Sequence, residues 1–278
     1  ARSGSGAAPV SDAERALWRR AADAVYVAYD ERLGVHSQSA NFTSHDVWDF
    51  EAWRDRYPLL LNAPYFDLYR KQVVKQADLV LAMHWCPEWF TPQQAARNVD
   101  YYERITVRDS SLSACTQAVL AAWVGHAELA YAYTCEAAFV DLHDLHDNTA
   151  DGLHMASLGG AWIALVQGFG GLREQDGQLS LNPALPDALS RLCFTIQWRG
   201  ARITTDITAN EVTYSVHGAD ERAVSMRHDG KPIRLSPDQP VTAPIVRRPP
   251  LLPPPTQPPG REPLADHHQL DAAGRPSA

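Results

Sequence analysis

The stretch that decides how this chain is read is Asp147-Asn148-Thr149-Ala150-Asp151-Gly152-Leu153-His154-Met155-Ala156-Ser157-Leu158-Gly159-Gly160-Ala161-Trp162. A polar loop runs directly into small and apolar residues, which predicts the start of a helix. Thr149 or Asp151 is expected to cap that start, with Gly152 turning the backbone. His154 and Ser157 stand three apart on one face of the first turns. They offer an imidazole and a hydroxyl beside helix-start amides, a set suited to an anion. Gly159-Gly160 costs a helix ~2 kcal/mol relative to two alanines and so needs a compensating reason. Close helix packing is one reason, and a backbone approached by a phosphate or sugar is the other.

Upstream, Ser11-Asp12-Ala13-Glu14 reads as a capping box for a helix carrying Leu17, Trp18, Ala21 and Val25 and ending near Tyr29. A second long helix is expected over residues 67–85, with Lys71 held by Asp67 and Lys75 by Asp78. Thr91-Pro92 opens a third. Arg108-Asp109-Ser110-Ser111 ends it and caps a small-residue helix over residues 112–124, and another helix follows over residues 128–145. The quoted stretch begins the last helix, which finishes at Gly168-Phe169-Gly170-Gly171. From Leu172 onward the apolar period falls to two. Strands are expected over residues 178–181, 192–198, 201–207 and 212–216, with one more hairpin within 223–235. The fold class is therefore mainly α, with a small antiparallel β domain after it.

With 278 residues and 45% hydrophobic content the chain can build a proper core in one large domain or two. A net charge of −8 with no long basic run argues against a nucleic acid or an anionic membrane surface as partner. Cys86, Cys115, Cys135 and Cys193 are widely spaced without a CxxC, so neither a zinc site nor a disulfide framework is expected. No apolar run approaches the roughly 18 residues of a membrane span, and a cytoplasmic location is the expectation. Residues 1–10 read as a flexible lead-in that lacks an initiator Met, as in a chain beginning inside a longer protein. Eleven of the 20 prolines fall after Gln239, so residues 240–278 are expected to form a disordered tail that does not pack.

Four further motifs accompany the quoted stretch: Val74-Lys75-Gln76-Ala77-Asp78, the run from Tyr101-Tyr102-Glu103-Arg104 to Asp109-Ser110-Ser111-Leu112-Ser113, Gln167-Gly168-Phe169-Gly170-Gly171-Leu172-Arg173, and Trp198-Arg199-Gly200. In this order they resemble the C-terminal part of glycoside hydrolase family 65, the maltose, trehalose and kojibiose phosphorylases, over about residues 12–216. The resemblance implies the second half of an (α/α)6 barrel at residues 11–171, a catalytic-domain fragment. A C-terminal β-sandwich-like domain at residues 172–239 should follow. Family chemistry is inverting attack on an α-glucoside: a Glu protonates the leaving oxygen while inorganic phosphate, a co-substrate rather than a cofactor, attacks C1. Carried over residue by residue, Lys75 and Gln76 contact the substrate, while His154, Ser157 and Gly159 contact phosphate. No metal is implied. Family members are commonly homodimers.

The departures matter as much as the matches. Arg108 stands where phosphorylases commonly show His before Asp-Ser-Ser. No segment of the Asp-Glu-Tyr-His-Glu type that bears the family's general acid occurs, so no catalytic residue is expected in this chain and the acid is expected upstream of Ala1. Glu103, Asp109, Glu128 and Asp151 match no donor position. Half a barrel is also expected to leave Val119, Trp123 and Ile163 without partners. The leading expectation is a C-terminal fragment of a disaccharide phosphorylase. The alternatives are a family hydrolase of α-glucosides and a noncatalytic carbohydrate-binding or structural subunit.

Overall fold

A computed structural model describes residues 10–217, 223–237 and 239–263. Among the described residues six helices of eight residues or more lead the chain: α1 (Asp12–Asp23), α2 (Asp78–Trp85), α3 (Pro92–Glu103), α4 (Ser113–Trp123), α5 (Ala127–Phe139) and α6 (Met155–Ile163), the last continuing as a π-helical turn over Ala164–Phe169. Two of the starts follow from local chemistry. Ser11 and Glu14 close a reciprocal capping box at α1, and Thr91 and Gln94 close another at α3, where Pro92 takes the first helical position.

Helix α4 is the centre of the helical layer and packs on α2, α5 and α6. Small residues permit the close approach. Ala114, Ala118, Ala137 and Ala164 surround the fully buried Tyr133, and Gly160 of α6 lies so near Cys115 that a Cβ there would stand 2.5 Å from the sulfur. Val119 is completely buried, contrary to expectation, while Trp123 and Ile163 are partly covered. The uncovered apolar surface lies elsewhere. No residue of α1 is buried, Leu17 and Trp18 are more than half exposed, and Trp85, Met155 and Trp162 face outward.

The second part is built from eight strands: β1 (Arg173–Gln175), β2 (Gln178–Leu181), β3 (Arg191–Trp198), β4 (Ala201–Thr208), β5 (Glu211–His217), β6 (Val224–His228), β7 (Lys231–Leu235) and β8 (Val241–Pro244). They form two four-stranded sheets, ordered β7-β6-β2-β1 and β8-β5-β4-β3. Asp176-Gly177, Arg199-Gly200 and Asp229-Gly230 all carry positive φ at both residues, as two-residue hairpin turns require. The all-antiparallel expectation is corrected at one place, where β2 and β6 run parallel. Leu179, Leu181 and Met226 from one sheet share a core with Ile203, Ile207 and Tyr214 from the other. Ala121, Ala130 and Phe169 of the helical layer join the same core.

Several predicted elements differ. Helix α1 stops at Asp23 rather than near Tyr29. The long helix over residues 67–85 is interrupted: Tyr65–Leu68 makes one turn, Lys71–Gln72 pairs in parallel with Asp46–Val47, and only Asp78–Trp85 is a full helix. Tertiary pairing of β-branched Val73-Val74 and their neighbours overrides helical spacing here. Lys71 consequently pairs with Asp46 at 3.0 Å, not with Asp67. The helix expected to reach residue 145 ends at Phe139 because Asp141 and Asp144 bond backbone amides further along, a use these residues prefer to the helix interior.

The Pro-rich tail, expected not to pack, does pack through Pro263. Its strand β8 extends the second sheet beside β5, and Pro255 and Pro258 are buried. Proline brings no N–H that must find a partner, so such a segment lies on a surface at little hydrogen-bonding cost. Residues 264–278 of that expected tail lie outside the described residues. Among the described residues no helix is long and apolar enough to cross a membrane.

Candidate functional site

The Lys75-Gln76 pair is positioned by a short backbone ladder. The Val74 amide donates to the Ile105 carbonyl and the Val107 amide donates to the Val74 carbonyl, both at 2.9 Å, so residues 74–76 run beside residues 105–110. This brings Gln76 against the Asp-Ser-Ser turn. Ser110 Oγ donates to Gln76 Oε1 at 2.9 Å, Ser113 Oγ donates to the Lys75 carbonyl at 3.3 Å, and the Lys75 side chain stays exposed. A cleft of about 210 Å³ opens beside them, lined by Gln76, Asp78, Ser113, Cys115, Ala156 and Gly160. Helices α2 and α6 line this opening along their length, and α4 closes it with its first turns.

Behind the turn lies a buried polar cluster. Arg108, held at a φ of 51°, donates from Nε to Glu136 Oε1 at 3.0 Å and stacks 5.0 Å from the centre of the Tyr133 ring. Tyr133 donates to Glu103 Oε2 at 2.5 Å, Gln117 donates to Glu103 Oε1 at 2.7 Å, and Gln257 from the tail donates to Oε2 at 3.1 Å. Burial raises the Glu103 pKa above the ordinary carboxylate value, and these three donors pull it back only in part. Asp109 accepts the Leu60 amide at 3.1 Å, and burial raises its pKa as well.

His154 sits at the N-cap of α6. Asp141 grips it twice, accepting the His154 amide at 2.9 Å and holding Nδ1 at 2.6 Å. The bond from the imidazole is the main cause that lowers the Asp141 pKa. The His146 ring lies 5.7 Å from that of His154. Thr149 and Asp151, expected to cap the helix, instead form a separate 3-10 turn. Its entry is tied by Asp144, which accepts the Asn148 and Thr149 amides at 2.9 Å each.

The three residues carried over for phosphate do not converge. Ser157 is fully buried and donates its hydroxyl proton to the Ala137 carbonyl at 3.1 Å. Gly159 is exposed, with open space where a Cβ would point, and two helical residues on from Ser157 it faces nearly the opposite side. The packing reason for the glycine pair belongs to Gly160 alone. Sequence reasoning missed Asp141, Glu136 and Gln257. Only Asp141 left a signal, as an acid inside the Asp141-Leu142-His143-Asp144 run before a predicted helix start. Among the described residues no group of His, Cys, Asp and Glu could hold a metal ion.

The comparisons with known proteins agree with this organisation. Residues 3–163 match the glycosyl hydrolase family 65 central catalytic domain, and residues 172–235 match the C-terminal domain of the same family. A glycosyl hydrolase of Mycobacterium tuberculosis (strain H37Rv) whose activity is uncharacterised is 58% identical over 255 residues, 92% of this chain and 32% of that protein. The α,α-trehalose phosphorylase of Geobacillus stearothermophilus is 40% identical over 234 residues, 84% of this chain and 30% of that enzyme. A solved structure assigned as a kojibiose phosphorylase from the human microbiome superposes with a TM-score of 0.75 at 25% identity, covering 84% of this chain and 32% of the other. The chain thus spans about a third of the length of the relatives it matches. Two adjoining domain matches in family order, over a helical layer and a paired-sheet domain like those of a family structure, make this chain a member of glycoside hydrolase family 65.

Proposed function

We propose that this chain is the C-terminal part of an inverting α-glucoside phosphorylase, contributing half of an (α/α)6 barrel and a β-sandwich that supports it. Lys75 and Gln76 bind the glucosyl unit. His154, oriented by Asp141, and the backbone amides at the α6 start receive phosphate, with Ser157 as a buried tie to α5. The proton donor comes from polypeptide outside this chain. A phosphorylase needs only that one carboxylate, because phosphate takes the place of the base-activated water of an inverting hydrolase.

The observation that carries the reading is the Ser110 to Gln76 hydrogen bond, which joins the sugar-contact pair to the Asp-Ser-Ser turn at the mouth of a cleft shared with α6. A hydrolase is the second reading, favoured by the description of the M. tuberculosis relative as a glycosyl hydrolase.

The test joins this chain to the N-terminal two-thirds of that relative and measures glucose and glucose 1-phosphate released from maltose, trehalose and kojibiose. Release of glucose 1-phosphate that requires phosphate supports the reading. Equal hydrolysis with and without phosphate overturns it in favour of the hydrolase. The chain by itself should turn over none of the three, since the missing acid is worth about 10²–10⁴-fold.

A further inference from the structure

The segment over residues 245–263 forms a strap that returns from the sheet domain to the helical layer. Its first half is tied to the sheets: the Ile245 amide donates to Asn210 at 2.8 Å, Arg247 pairs with Asp187, and Arg248 pairs with Asp229. Its second half ends on the turn that holds Gln76. Arg261 donates through Nε to the Val107 carbonyl and through Nη2 to the Arg108 carbonyl at 2.7 Å, while Arg108 donates back to the Arg261 carbonyl. The same guanidinium lies 3.8 Å from Asp109 and 5.1 Å from the centre of the Tyr57 ring. Gly260 has a φ of 77°, and a Cβ there would stand 2.8 Å from the Arg54 carbonyl oxygen, so the final bend admits only glycine without displacement.

Two groups beneath the strap lack a hydrogen bond. Asp109 Oδ1 and the Tyr57 hydroxyl are both buried without a hydrogen-bond partner among the described residues; Arg261 reaches the first only as an ion pair at 3.8 Å and covers the ring of the second. Buried polar atoms are nearly always paired, so two orphans around one inserted side chain call for an explanation. An acceptor-only carboxylate oxygen and a phenol suit the hydroxyl groups of a sugar. Asp109 adjoins Ser110 in the chain, and Ser110 touches Gln76.

We propose that the strap is a lid over the leaving-group end of the sugar site. Docked, Arg261 and Gly260 close the space beyond the glucosyl unit. Displaced, they release Asp109 and Tyr57 to bind hydroxyl groups of a second sugar ring. The strap thereby selects glucosides by the size of their leaving group. This inference rests on the assignment of Lys75 and Gln76 as glucosyl contacts.

The test compares the full chain with its Gly260→Ala, Arg261→Ala and Lys75→Ala forms. Glucose and maltose affinities are measured by calorimetry, and hydrogen exchange is followed at residues 74–77, 107–113 and 201–208. Both strap variants should raise the affinity for maltose relative to glucose by about tenfold or more, the scale of one charge-assisted hydrogen bond. Exchange should accelerate at 74–77 and 107–113 but not at 201–208, which reports that the sheets remain folded. Faster exchange with an unchanged maltose-to-glucose ratio, in a chain whose glucose binding is lost in Lys75→Ala, overturns the lid and leaves the sugar site standing. Failure of every form to bind either sugar overturns both.

Discussion

Asp141 holds His154 by two bonds at once, through the backbone amide at 2.9 Å and through Nδ1 at 2.6 Å, so a single carboxylate sets both the start of α6 and the orientation of the imidazole. The ring is thereby left with Nε2 for a ligand. Replacing Asp141 with Ala should weaken phosphate binding by about tenfold or more, as expected when a charge-assisted contact loses its orientation. Phosphorus NMR titration of the chain reads this directly. Affinity unchanged in Asp141→Ala would place phosphate elsewhere. The lowered Asp141 pKa gives a second readout: its stabilising effect is present above the unfolded carboxylate value and lost as pH falls through the lower folded value, so Asp141→Ala should flatten the acid limb of unfolding.

Glu103 has the opposite sign. Its folded pKa is raised by burial, so the folded state holds the proton more tightly than the unfolded one, and stability falls as pH rises from the unfolded value toward the folded one. Urea denaturation at pH 5 and pH 8 should show a larger loss toward alkaline pH in the native chain than in Glu103→Gln. Comparing the two proteins cancels histidines such as His84 and His146, whose pKa values are lowered by burial and whose contribution runs the other way. At pH 5 the variant should be less stable by ~1–3 kcal/mol, because an amide turns an N–H toward a cluster built of donors. An identical pH slope in both proteins would refute the account.

Adjacent glycines should respond differently. Gly160→Ala drives a Cβ to 2.5 Å from Cys115 Sγ and 2.6 Å from its Cβ, and should cost ~1–3 kcal/mol by overpacking. Gly159→Ala meets nothing within 4 Å and should gain up to ~1 kcal/mol from helix propensity. Denaturation midpoints measured side by side settle the pair, and equal shifts would mean that α6 does not pack on α4 as described.

The exposed apolar faces predict self-association. Leu17 and Trp18 on α1, with Trp85, Met155 and Trp162, give the isolated chain more uncovered hydrophobic surface than a solitary domain usually carries. Analytical ultracentrifugation should show concentration-dependent assembly, reduced in a Leu17→Lys, Trp18→Glu double variant. A monodisperse monomer across the accessible range would contradict this.

What the sequence disclosed was local. The Ser11 and Thr91 caps and the Asp176-Gly177, Arg199-Gly200 and Asp229-Gly230 turns each depend on two to four neighbouring residues, and each forms as the residues dictate. The break at residues 71–76 was not legible, because its causes are the strand at Asp46–Val47 and the bridge to Thr106. Lys75 and Gln76 could be singled out as a pair, but their link to Ser110 depends on that same distant pairing. The surroundings of Ser157 were hidden for a related reason. Helical spacing says which residues share a face, not whether the face looks toward solvent or toward Ala137.

The strap also imposes an order on synthesis. Val107 and Glu103 each receive a bond from residues 154 positions later in the chain, at Arg261 and Gln257. At ordinary elongation rates those partners emerge roughly 10–30 s after the helix they complete. During that interval the Glu103 cluster stands one donor short and the Asp109 turn lacks its cover. The helical layer therefore leaves the ribosome before its last ties exist, and a stop codon placed before Gln257 would abolish the final fastening of the molecule.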